Sequence, residues 1–565
     1  MKKKLMNYLE NYLSDLRKAG EQLYNETMPE LTDELFMIYY ETGNRLEYEK
    51  VYFARRKQLT VFGMLSILDG KDEDIKKLES VLVDICKEDC WSIPAHVKRY
   101  RPEWRITVDL YAAETAFSIA EIISKLKDKL SEDVYNFAYQ EVFRRVLTPY
   151  IESEKPYDWW EESQINWCAV ANGSIGCAAL YLIEDKELRD KVISRVIESI
   201  SHYVDGYTSD GVCKEGISNY VYGLSYYVMF SEMFREYTNG EINLIVTEKF
   251  RNIVLFQQKC YYPGNVTLSF SDCRKNEKFR VGLTSYMSMW YPIVKFPDFE
   301  MAADINTGYC RYPLISRDYF FTKMYLEHLN TKRSSVVKGI WYGQMIMSEA
   351  NVSICQSVND CVLASKGGHN DEPHNHNDVG SFLYISDGEM VLADLGGGEY
   401  TRDYFNENRY NHLTCRSLGH NLPLIDGKEQ QQGAQYCASN FYADGNGKTV
   451  IDIEKAYGLN DDEKITRTME MDLGNGRVKI EDYFRIYECR SITENLVCLY
   501  EPVMEKNRFT IKTPKRTYVV YCPNGIDYNV LKEQYNDRDG KLIDVWLIQW
   551  KIPGNRAEIR VEQQV

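Results

Sequence analysis

The spacing of apolar residues changes once along this chain, and that change limits the fold more than any other feature of the sequence. Up to about residue 325, apolar residues recur every three to four positions, as in ELRDKVISRVIESISHYV (187–204), which is the spacing of amphipathic helices. After about residue 340 the period falls to two and β-branched residues become frequent, as in RVKIEDYFRI (477–486), which is typical of antiparallel strands. We therefore predict an α+β multidomain protein with a helical domain over 1–325, a junction over 326–340 and a β domain over 341–565.

The composition argues against several classes of partner. The formal net charge of −16 opposes nucleic-acid binding, which needs a basic face to meet phosphate groups. No run is long and apolar enough to span a membrane. An anionic ligand would have to be bound by a local cluster of basic and amide side chains inside a cleft. The 44 tyrosines and 9 tryptophans exceed what packing needs, so some of them could stack on sugar rings, while most would pack between helices.

The cysteines and the N-terminus together predict a cytoplasmic location. The 15 cysteines are scattered without a Cys-x-x-Cys pair, which argues against a disulfide framework and a zinc ribbon. Reduced thiols fit a cytosolic protein. The N-terminal MKKKLMNYLENYLSDLRK starts with basic residues, but polar side chains interrupt every apolar stretch. It therefore predicts an amphipathic helix and not a signal peptide.

One short stretch concentrates the histidines of the chain. KGGHNDEPHNHNDVGS (366–381) holds three of the eight. His374 and His376 alternate with asparagines, so in an extended conformation their side chains would point to the same face. The pattern predicts that these two histidines share one site.

Two further candidate metal ligands follow this stretch. Asp394 ends the next apolar run, and His420 precedes another. With His376 they form a plausible Zn²⁺ set that leaves a fourth position for water or another side chain. The alternatives are a solvated loop without metal, or buried histidines hydrogen-bonded to Asp378 and Asp394.

Five segments resemble the heparinase II/III-like polysaccharide lyases, a group that includes exolytic alginate lyases. Three lie in the helical half and two in the β half, in the order found in that group: CWSIPAHVKRYRPEWRITVDLYAAETA (90–116), DWWEESQINWCAVANGSIGCAAL (158–180), DGVCKEGISNYVYG (210–223), KGGHNDEPHNHNDVGSFLYISDGEMVLADLGGGEY (366–400) and SLGHNLPLIDG (417–427). The resemblance implies an incomplete (α/α) toroid followed by an antiparallel β-sandwich, which agrees with the change of period. It also implies β-elimination in an anionic, uronic-acid-containing oligosaccharide to give a 4,5-unsaturated uronate. Glycosaminoglycans such as heparan sulfate, hyaluronan or chondroitin are favoured, alginate is the alternative, and attack from a chain end is expected.

The resemblance also assigns catalytic residues. Asn166 matches the residue that neutralises the substrate carboxylate, with Asn172 as a competing position. Tyr220 matches the tyrosine of proton transfer, with Tyr222 as the alternative. His374 matches the histidine that completes the site, which is expected where the helical cleft meets the β-sandwich.

Substrate-binding and metal-binding roles follow from the same resemblance. His96 and Tyr410 fall in motifs that face the substrate. His376, Asp394 and His420 match metal ligands. We expect a structural Zn²⁺, because its ligands would brace strands beside the catalytic histidine and hold that residue in place.

These residue types suit an elimination reaction. A uronic acid has an acidic C5–H next to its carboxylate, and removal of that proton builds negative charge on the carboxylate. An asparagine amide can donate hydrogen bonds where this charge develops. A tyrosine, with a usual pKa of about 10, needs a nearby cation to act as a base but readily gives its proton to the leaving oxygen. His374 could be the base and the tyrosine the acid, or Tyr220 could do both.

Two other functions stay open on the same pattern. A glycoside hydrolase would need two carboxylates flanking the bond, and Glu161 or Glu162 with Glu215 could supply them. A noncatalytic glycan-binding protein would use the aromatic side chains alone. Elimination creates an ultraviolet-absorbing alkene, hydrolysis creates a reducing end without that absorbance, and binding alone creates neither, so one assay separates all three.

Overall fold

The computed structural model describes residues 1–331, 342–487, 491–523 and 525–564, and its chain divides into two compact units. The helical unit comprises Met1–Tyr207, Asn219–Gln258 and residues 278–331, and the β unit comprises Thr208–Ser218, Lys259–Glu277 and the described residues from 342 onward. Two segments of the predicted helical domain therefore belong to the β unit. The predicted junction 326–340 is helical up to Thr331, and the rest of it lies outside the described residues.

Helices dominate the described residues before 332. They are α1 Lys2–Leu23, α2 Asp33–Thr42, α3 Leu46–Leu68, α4 Asp72–Cys86, α5 Leu110–Lys125, α6 Glu132–Val142, α7 Thr148–Glu152, α8 Asn166–Leu182, α9 Lys186–Asp205, α10 Ile217–Tyr237, α11 Glu248–Cys260, α12 Val281–Trp290 and α13 Tyr312–Thr331. No helix in the described ranges is long and apolar enough to cross a bilayer. The 14 cysteines that the structure describes are free thiols.

Helices α8 and α10 approach each other closely because α8 carries glycines on the shared face. A Cβ atom on Gly173 would lie 2.9 Å from the carbonyl oxygen of Tyr226, and one on Gly176 would lie 2.5 Å from the ring of Phe230. Larger residues at these positions would force the helices apart. This close approach brings the start of α8 next to the middle of α10, where the candidate catalytic residues of the helical unit lie.

The β unit is built of antiparallel sheets. Its strands are β1 Tyr261–Tyr262, β2 Val266–Thr267, β3 Gly343–Met347, β4 Val352–Gln356, β5 Val362–Lys366, β6 His369–Asn370, β7 Phe382–Ser386, β8 Glu389–Leu392, β9 Leu424–Ile425, β10 Gly433–Cys437, β11 Asn440–Ala443, β12 Lys448–Asp452, β13 Lys464–Met471, β14 Val478–Arg485, β15 Ile492–Cys498, β16 Pro502–Glu505, β17 Arg508–Lys512, β18 Thr517–Tyr521, β19 Ile526–Asn536, β20 Leu542–Lys551 and β21 Arg556–Gln563. The larger sheets have the orders β3-β4-β5-β7-β8, β11-β12-β13-β14-β21-β18-β17-β16 and β19-β20-β15-β9.

The period of two in the sequence corresponds to one buried face per strand. Along β13 and β14 the side chains alternate between buried and more exposed positions. Ile465 lies opposite Phe484 and Met469 opposite Ile480, so the apolar faces of both strands join the same core cluster. The predicted α+β multidomain class is confirmed.

The core of the β unit contains a carboxyl group with no hydrogen-bond partner. Glu494 on β15 is fully buried and neither of its side-chain oxygens accepts a hydrogen bond. Its nearest cation, Arg467, lies 3.6 Å away and already binds Asp482 at 2.6 Å. Burial and the negative charge of Asp482 raise the pKa of Glu494 well above its usual range, and the attraction to Arg467 does not offset them.

The raised pKa of Glu494 predicts a pH-dependent stability. The folded protein holds a proton that the unfolded chain releases above about pH 4.3, the usual pKa of glutamate. The free energy of unfolding should therefore fall as pH rises through this window, by at most about 1.4 kcal/mol per pH unit. Glu494→Gln keeps a neutral side chain of the same shape. We expect it to be more stable than the wild type, with a difference that grows from about pH 5 to about pH 7.

Denaturant unfolding at several pH values measures this difference. Glu501→Gln is the matched control, because Glu501 is exposed and its replacement should leave the wild-type pH profile unchanged. Parallel profiles for wild type and Glu494→Gln would contradict the prediction.

Candidate active site

A buried carboxylate, Asp272, organises the candidate site of the β unit. Its Oδ2 lies 2.9 Å from Nδ1 of His374, and its Oδ1 lies 3.0 Å from Nε2 of His376. It also accepts hydrogen bonds from Tyr404 at 2.7 Å and from Arg409 at 3.0 Å. Burial alone would raise the pKa of Asp272, but attraction to Arg409 and the two histidine contacts hold it well below the usual range. Asp272 is therefore a fixed negative charge that positions four side chains.

His374 is held in an unusual backbone conformation between two carboxylates. Its φ is 59°, a left-handed value that costs free energy for a residue other than glycine and is often found at functional sites. Besides its Asp272 contact, its Nε2 lies 3.2 Å from Oε2 of Glu215. Burial lowers the pKa of His374, but the hydrogen bonds to Asp272 and Glu215 outweigh it and raise the pKa to about 9. Both ring nitrogens therefore face acceptors.

The prediction that His374 and His376 lie on one face of a strand is wrong. His374 lies in a turn, and His376 follows outside any strand. The two imidazoles nevertheless share one site, because each contacts a different oxygen of Asp272.

Tyrosines surround this histidine pair. The hydroxyl of Tyr400 lies 3.4 Å from Nδ1 of His374, and the guanidinium of Arg538 lies 3.4 Å from the centre of the Tyr400 ring. Tyr410, which the sequence predicted as a substrate-binding residue, accepts a hydrogen bond from Nδ2 of Asn375 at 3.3 Å. Tyr410 therefore lies directly beside the histidine segment, while its role toward a substrate stays a prediction.

The predicted metal ligands are fully buried and carry bare ligand atoms. Four side-chain atoms of this cluster are buried and have no hydrogen-bond partner. They are Nδ1 of His376, Nδ1 of His420, Oδ2 of Asp394 and Oδ2 of Asp378. Nδ1 of His420 lies 3.3 Å from Oδ2 of Asp394. Ligand atoms of His376, Asp378 and His420 all lie within 4.8 Å of one another. Buried polar atoms without partners are rare and costly, and two of these four, Nδ1 of His420 and Oδ2 of Asp394, lie in contact with each other.

The other polar atom of each of these four residues is occupied. Nε2 of His376 contacts Asp272, and Nε2 of His420 lies 3.1 Å from the carbonyl oxygen of Thr414. Such contacts fix the tautomer that leaves Nδ1 free to bind a metal. In the same way, Oδ1 of Asp394 accepts from the Gly396 amide and Oδ1 of Asp378 accepts from Lys366. His376, Asp378 and His420 therefore offer donor types that structural Zn²⁺ binds, and Asp394 contacts one of them, His420.

Asp378 is a candidate ligand that the sequence analysis did not propose. It was considered only as a hydrogen-bond partner of buried histidines. A second close group, Asp272 with His376 and Cys415, fits a metal less well, because the oxygens of Asp272 are already engaged by Arg409 and Tyr404.

In the helical unit, Asn166 is the first residue of α8. The N-cap is Ile165, which has no side chain that can cap the helix, so Asn166 is not the N-cap residue. A Cβ atom on Gly223 of α10 would lie 3.0 Å from Cβ of Asn166. The competing Asn172 is fully buried, and its amide donates to the carbonyl oxygens of Glu161 and Cys168. The geometry therefore gives Asn172 a structural role.

The two candidate tyrosines of α10 have different surroundings. Tyr220 is fully buried, and its hydroxyl donates to the carbonyl oxygen of Ile253 at 3.1 Å. Tyr222 is half-buried, and its hydroxyl donates to Oε1 of Glu114 at 2.6 Å and lies 3.2 Å from Nη1 of Arg311. Burial raises the pKa of Tyr222 well above its usual range, although Arg311 opposes this shift. The cation that a catalytic tyrosine needs is thus present at Tyr222, which makes this position the stronger candidate.

His96 lies in an aromatic row near the start of α8. Its Nδ1 lies 2.7 Å from Oδ2 of Asp109. Its ring stacks on Tyr111 with 5.3 Å between centroids, and it contacts Trp167, the neighbour of Asn166, at 4.6 Å. Burial lowers the pKa of His96 more than the Asp109 contact raises it. The ring is therefore neutral and held in a fixed orientation.

Glu161, one of the carboxylates proposed for hydrolysis, has the surroundings of a structural residue. Glu161 is fully buried and makes hydrogen bonds to Arg195 and to the hydroxyl of Ser199. These contacts and a bond from the Tyr157 amide lower its pKa despite burial, whereas a hydrolase acid needs a raised pKa. Glu161 is a structural anchor.

Several site residues had no recognisable signal in the sequence. They are Asp272, Asp378, Tyr400, Tyr404, Arg409, Glu114 and Arg311. Most lie outside the segments in which apolar residues are regularly spaced. Others contact residues more than a hundred positions away in the sequence, as Asp272 does with His374 and His376. Of these residues, only Asp378 lies inside the histidine-rich stretch 366–381, while Tyr400 and Glu114 lie in the segments 366–400 and 90–116 that carry the family resemblance.

Comparison with known proteins identifies the fold. No protein-family model matches the sequence, and no curated protein matches it. A crystal structure of heparinase III matches 99% of this chain and 90% of its own chain, with a TM-score of 0.64 and 13% identity. A mutant of the heparan sulfate lyase HepC from Pedobacter heparinus matches 97% of this chain and 84% of its own, with a TM-score of 0.62 and 12% identity. The chain therefore shares the fold of these structures.

Proposed function

We propose that this protein is a polysaccharide lyase that cleaves uronic-acid-containing oligosaccharides by β-elimination, with a glycosaminoglycan as the favoured substrate. The observation that carries the proposal is His374, held in a left-handed backbone conformation between Asp272 and Glu215. Backbone strain of this kind persists where a side chain must be presented in one orientation. The fold shared with heparan sulfate lyases supports the same proposal.

The reaction requires that one proton is removed from C5 of the uronate and that one proton is given to the leaving sugar oxygen. A base removes the proton from C5, the C4–O bond breaks, and a double bond forms between C4 and C5. The leaving sugar oxygen takes up a proton. Negative charge builds on the uronate carboxylate before the bond breaks, so hydrogen bonds and cations that face this carboxylate lower the barrier.

In this proposal, the side chain of a tyrosine transfers the proton. Both ring nitrogens of His374 face carboxylates, so in this proposal the histidine is not the base. Tyr222 has a cation and a carboxylate next to its hydroxyl. Arg311 stabilises negative charge on the phenol oxygen, and Glu114, which accepts a hydrogen bond from the Tyr222 hydroxyl, can exchange a proton with it. Asn166, near Tyr222 at the start of α8, donates hydrogen bonds to the substrate carboxylate.

Product analysis tests the proposal. The purified protein should produce ultraviolet absorbance from a conjugated C4–C5 alkene when it acts on heparan sulfate, hyaluronan, chondroitin or alginate oligosaccharides. Activity on alginate alone would favour the alternative substrate. New reducing ends without absorbance would indicate hydrolysis, and binding without products would indicate a glycan-binding protein. Either of these last outcomes would overturn the lyase proposal. The predicted cytoplasmic location and end-wise attack stay predictions.

We also propose a structural Zn²⁺ bound by His376, Asp378, Asp394 and His420. The close approach of the ligand atoms of His376, Asp378 and His420, and the contact of His420 with Asp394, support it. The metal would neutralise two buried carboxylates and fix the loop that carries His374, two residues before His376.

Metal removal is expected to destabilise the β unit. Elemental analysis should find one zinc per chain, and His420→Ala or Asp378→Asn should lower the zinc content. Because several buried polar atoms would lose their partner, we expect a loss of about 3 kcal/mol or more and a fall in Tm of about 6–12 °C. His202→Ala, far from this cluster in sequence and located on α9, should keep both zinc and Tm. A protein that is purified without chelator, contains no zinc and takes up none would contradict the prediction.

A further inference from the structure

An exposed tryptophan in the helical unit lies at the end of a continuous row of aromatic rings. Trp159 is 55% exposed. Its ring lies 5.0 Å from the ring of Trp167, which lies 4.6 Å from His96, which in turn stacks on Tyr111. Single exposed aromatic residues are common and need no explanation. Here, however, the exposed ring of Trp159 contacts Trp167, which follows Asn166 in the sequence. The exposed ring is therefore connected to the candidate active site.

The backbone that carries Trp159 is firmly anchored. Asp158 caps the short helix Trp159–Glu162 by accepting a hydrogen bond from the Trp159 amide at 2.8 Å. The next residue, Trp160, is buried, and its Nε1 donates to the carbonyl oxygen of Val108 at 3.1 Å. After it, Glu161 binds Arg195. Three consecutive contacts thus hold the chain in place while one large apolar ring stays in solvent, which is the arrangement of a preorganised binding surface.

We propose that Trp159 is a sugar-stacking residue that binds a pyranose ring next to the uronate held at Asn166. The inference rests on the proposed function, since it assigns the same substrate class to this site. Pyranose rings present an apolar face of C–H groups, and the faces of tryptophan rings bind such surfaces through burial of apolar area. Trp159 would therefore contribute to substrate length preference, since the shortest substrates do not reach it.

Kinetics with heparan sulfate oligosaccharides of two lengths test this role. Trp159→Ala should raise KM for a hexasaccharide roughly tenfold and leave kcat nearly unchanged, because stacking on a remote ring stabilises the ground state and the transition state equally. KM for a disaccharide-sized substrate should not change, and Trp159→Phe should be intermediate. Trp290→Ala is the matched control, since Trp290 is a 38% exposed tryptophan of the same unit that lies on α12. Unchanged KM for the hexasaccharide in Trp159→Ala would overturn the inference while the lyase proposal stands.

Equilibrium binding separates this inference from the proposed function. Isothermal titration of the full-length protein with the hexasaccharide gives Kd without any need for turnover. If the wild type forms no unsaturated product but binds the hexasaccharide, and Trp159→Ala weakens Kd roughly tenfold, the stacking role holds although the lyase proposal fails. Equal Kd values for wild type and Trp159→Ala, or no wild-type binding, would overturn the stacking role.

Discussion

Replacement of Asn166 by alanine is expected to lower turnover by about 10²–10³-fold, the usual effect of removing one preorganised donor from a site of developing negative charge. The charge on the substrate carboxylate grows mainly in the transition state, so kcat should fall much more than KM rises. Initial rates of ultraviolet absorbance measure this effect. Asn166 is buried, so melting curves of the variant are needed to separate a loss of stability from the loss of turnover.

Two further variants make the Asn166 experiment specific. Asn166→Asp has nearly the same shape but would repel the substrate carboxylate, so its turnover should be at least as low as that of Asn166→Ala. Asn11→Ala, an exposed position on α1, should retain wild-type turnover. Near-native kcat in Asn166→Ala would mean that another residue neutralises the carboxylate.

The architecture was predictable from the sequence because it depends on local periodicity. A period of two along β13 and β14 follows directly from alternating side chains on a strand, and the structure has the same alternation. The helical half was predictable for the same reason. The segments 208–218 and 259–277, which the sequence analysis placed in the helical domain, group with the β unit, because this grouping depends on long-range contacts and not on local spacing.

The candidate site was only partly predictable. The histidine-rich segment showed that His374 and His376 share a site, but not that Asp272 joins them from about a hundred residues earlier. The sequence analysis considered Asp378 only as a hydrogen-bond partner of buried histidines, because a buried carboxylate in that role and one that binds a metal have the same sequence pattern. In the structure its second oxygen has no partner, and this observation has no counterpart in the sequence.

The tyrosine of α10 illustrates the same limit. Residues 220 and 222 are two positions apart, and each residue of an α-helix turns by about 100°, so their side chains point to nearly opposite sides. The motif placed both tyrosines on one helix, but it could not show which side faces the interior. In the structure Tyr220 points inward to Ile253, and Tyr222 contacts Glu114 and Arg311.

This difference leads to opposite expectations for two matched variants. Tyr222→Phe removes the hydroxyl beside Arg311 and should lower turnover by about 10²–10⁴-fold, the usual contribution of proton transfer by a positioned side chain. Tyr220→Phe removes one buried hydrogen bond to a carbonyl oxygen. It should cost about 1 kcal/mol of stability and leave kcat near the wild-type value.

Rates and melting curves of both variants, measured side by side, decide between the two tyrosines. A large loss of kcat in Tyr220→Phe with a normal Tyr222→Phe would support the assignment made from the sequence motif. Loss in neither variant would exclude proton transfer from α10. Tyr400 would then be the next position to test, because its hydroxyl lies 3.4 Å from the His374 ring and the guanidinium of Arg538 faces its ring, which supplies the cation that a tyrosine base requires.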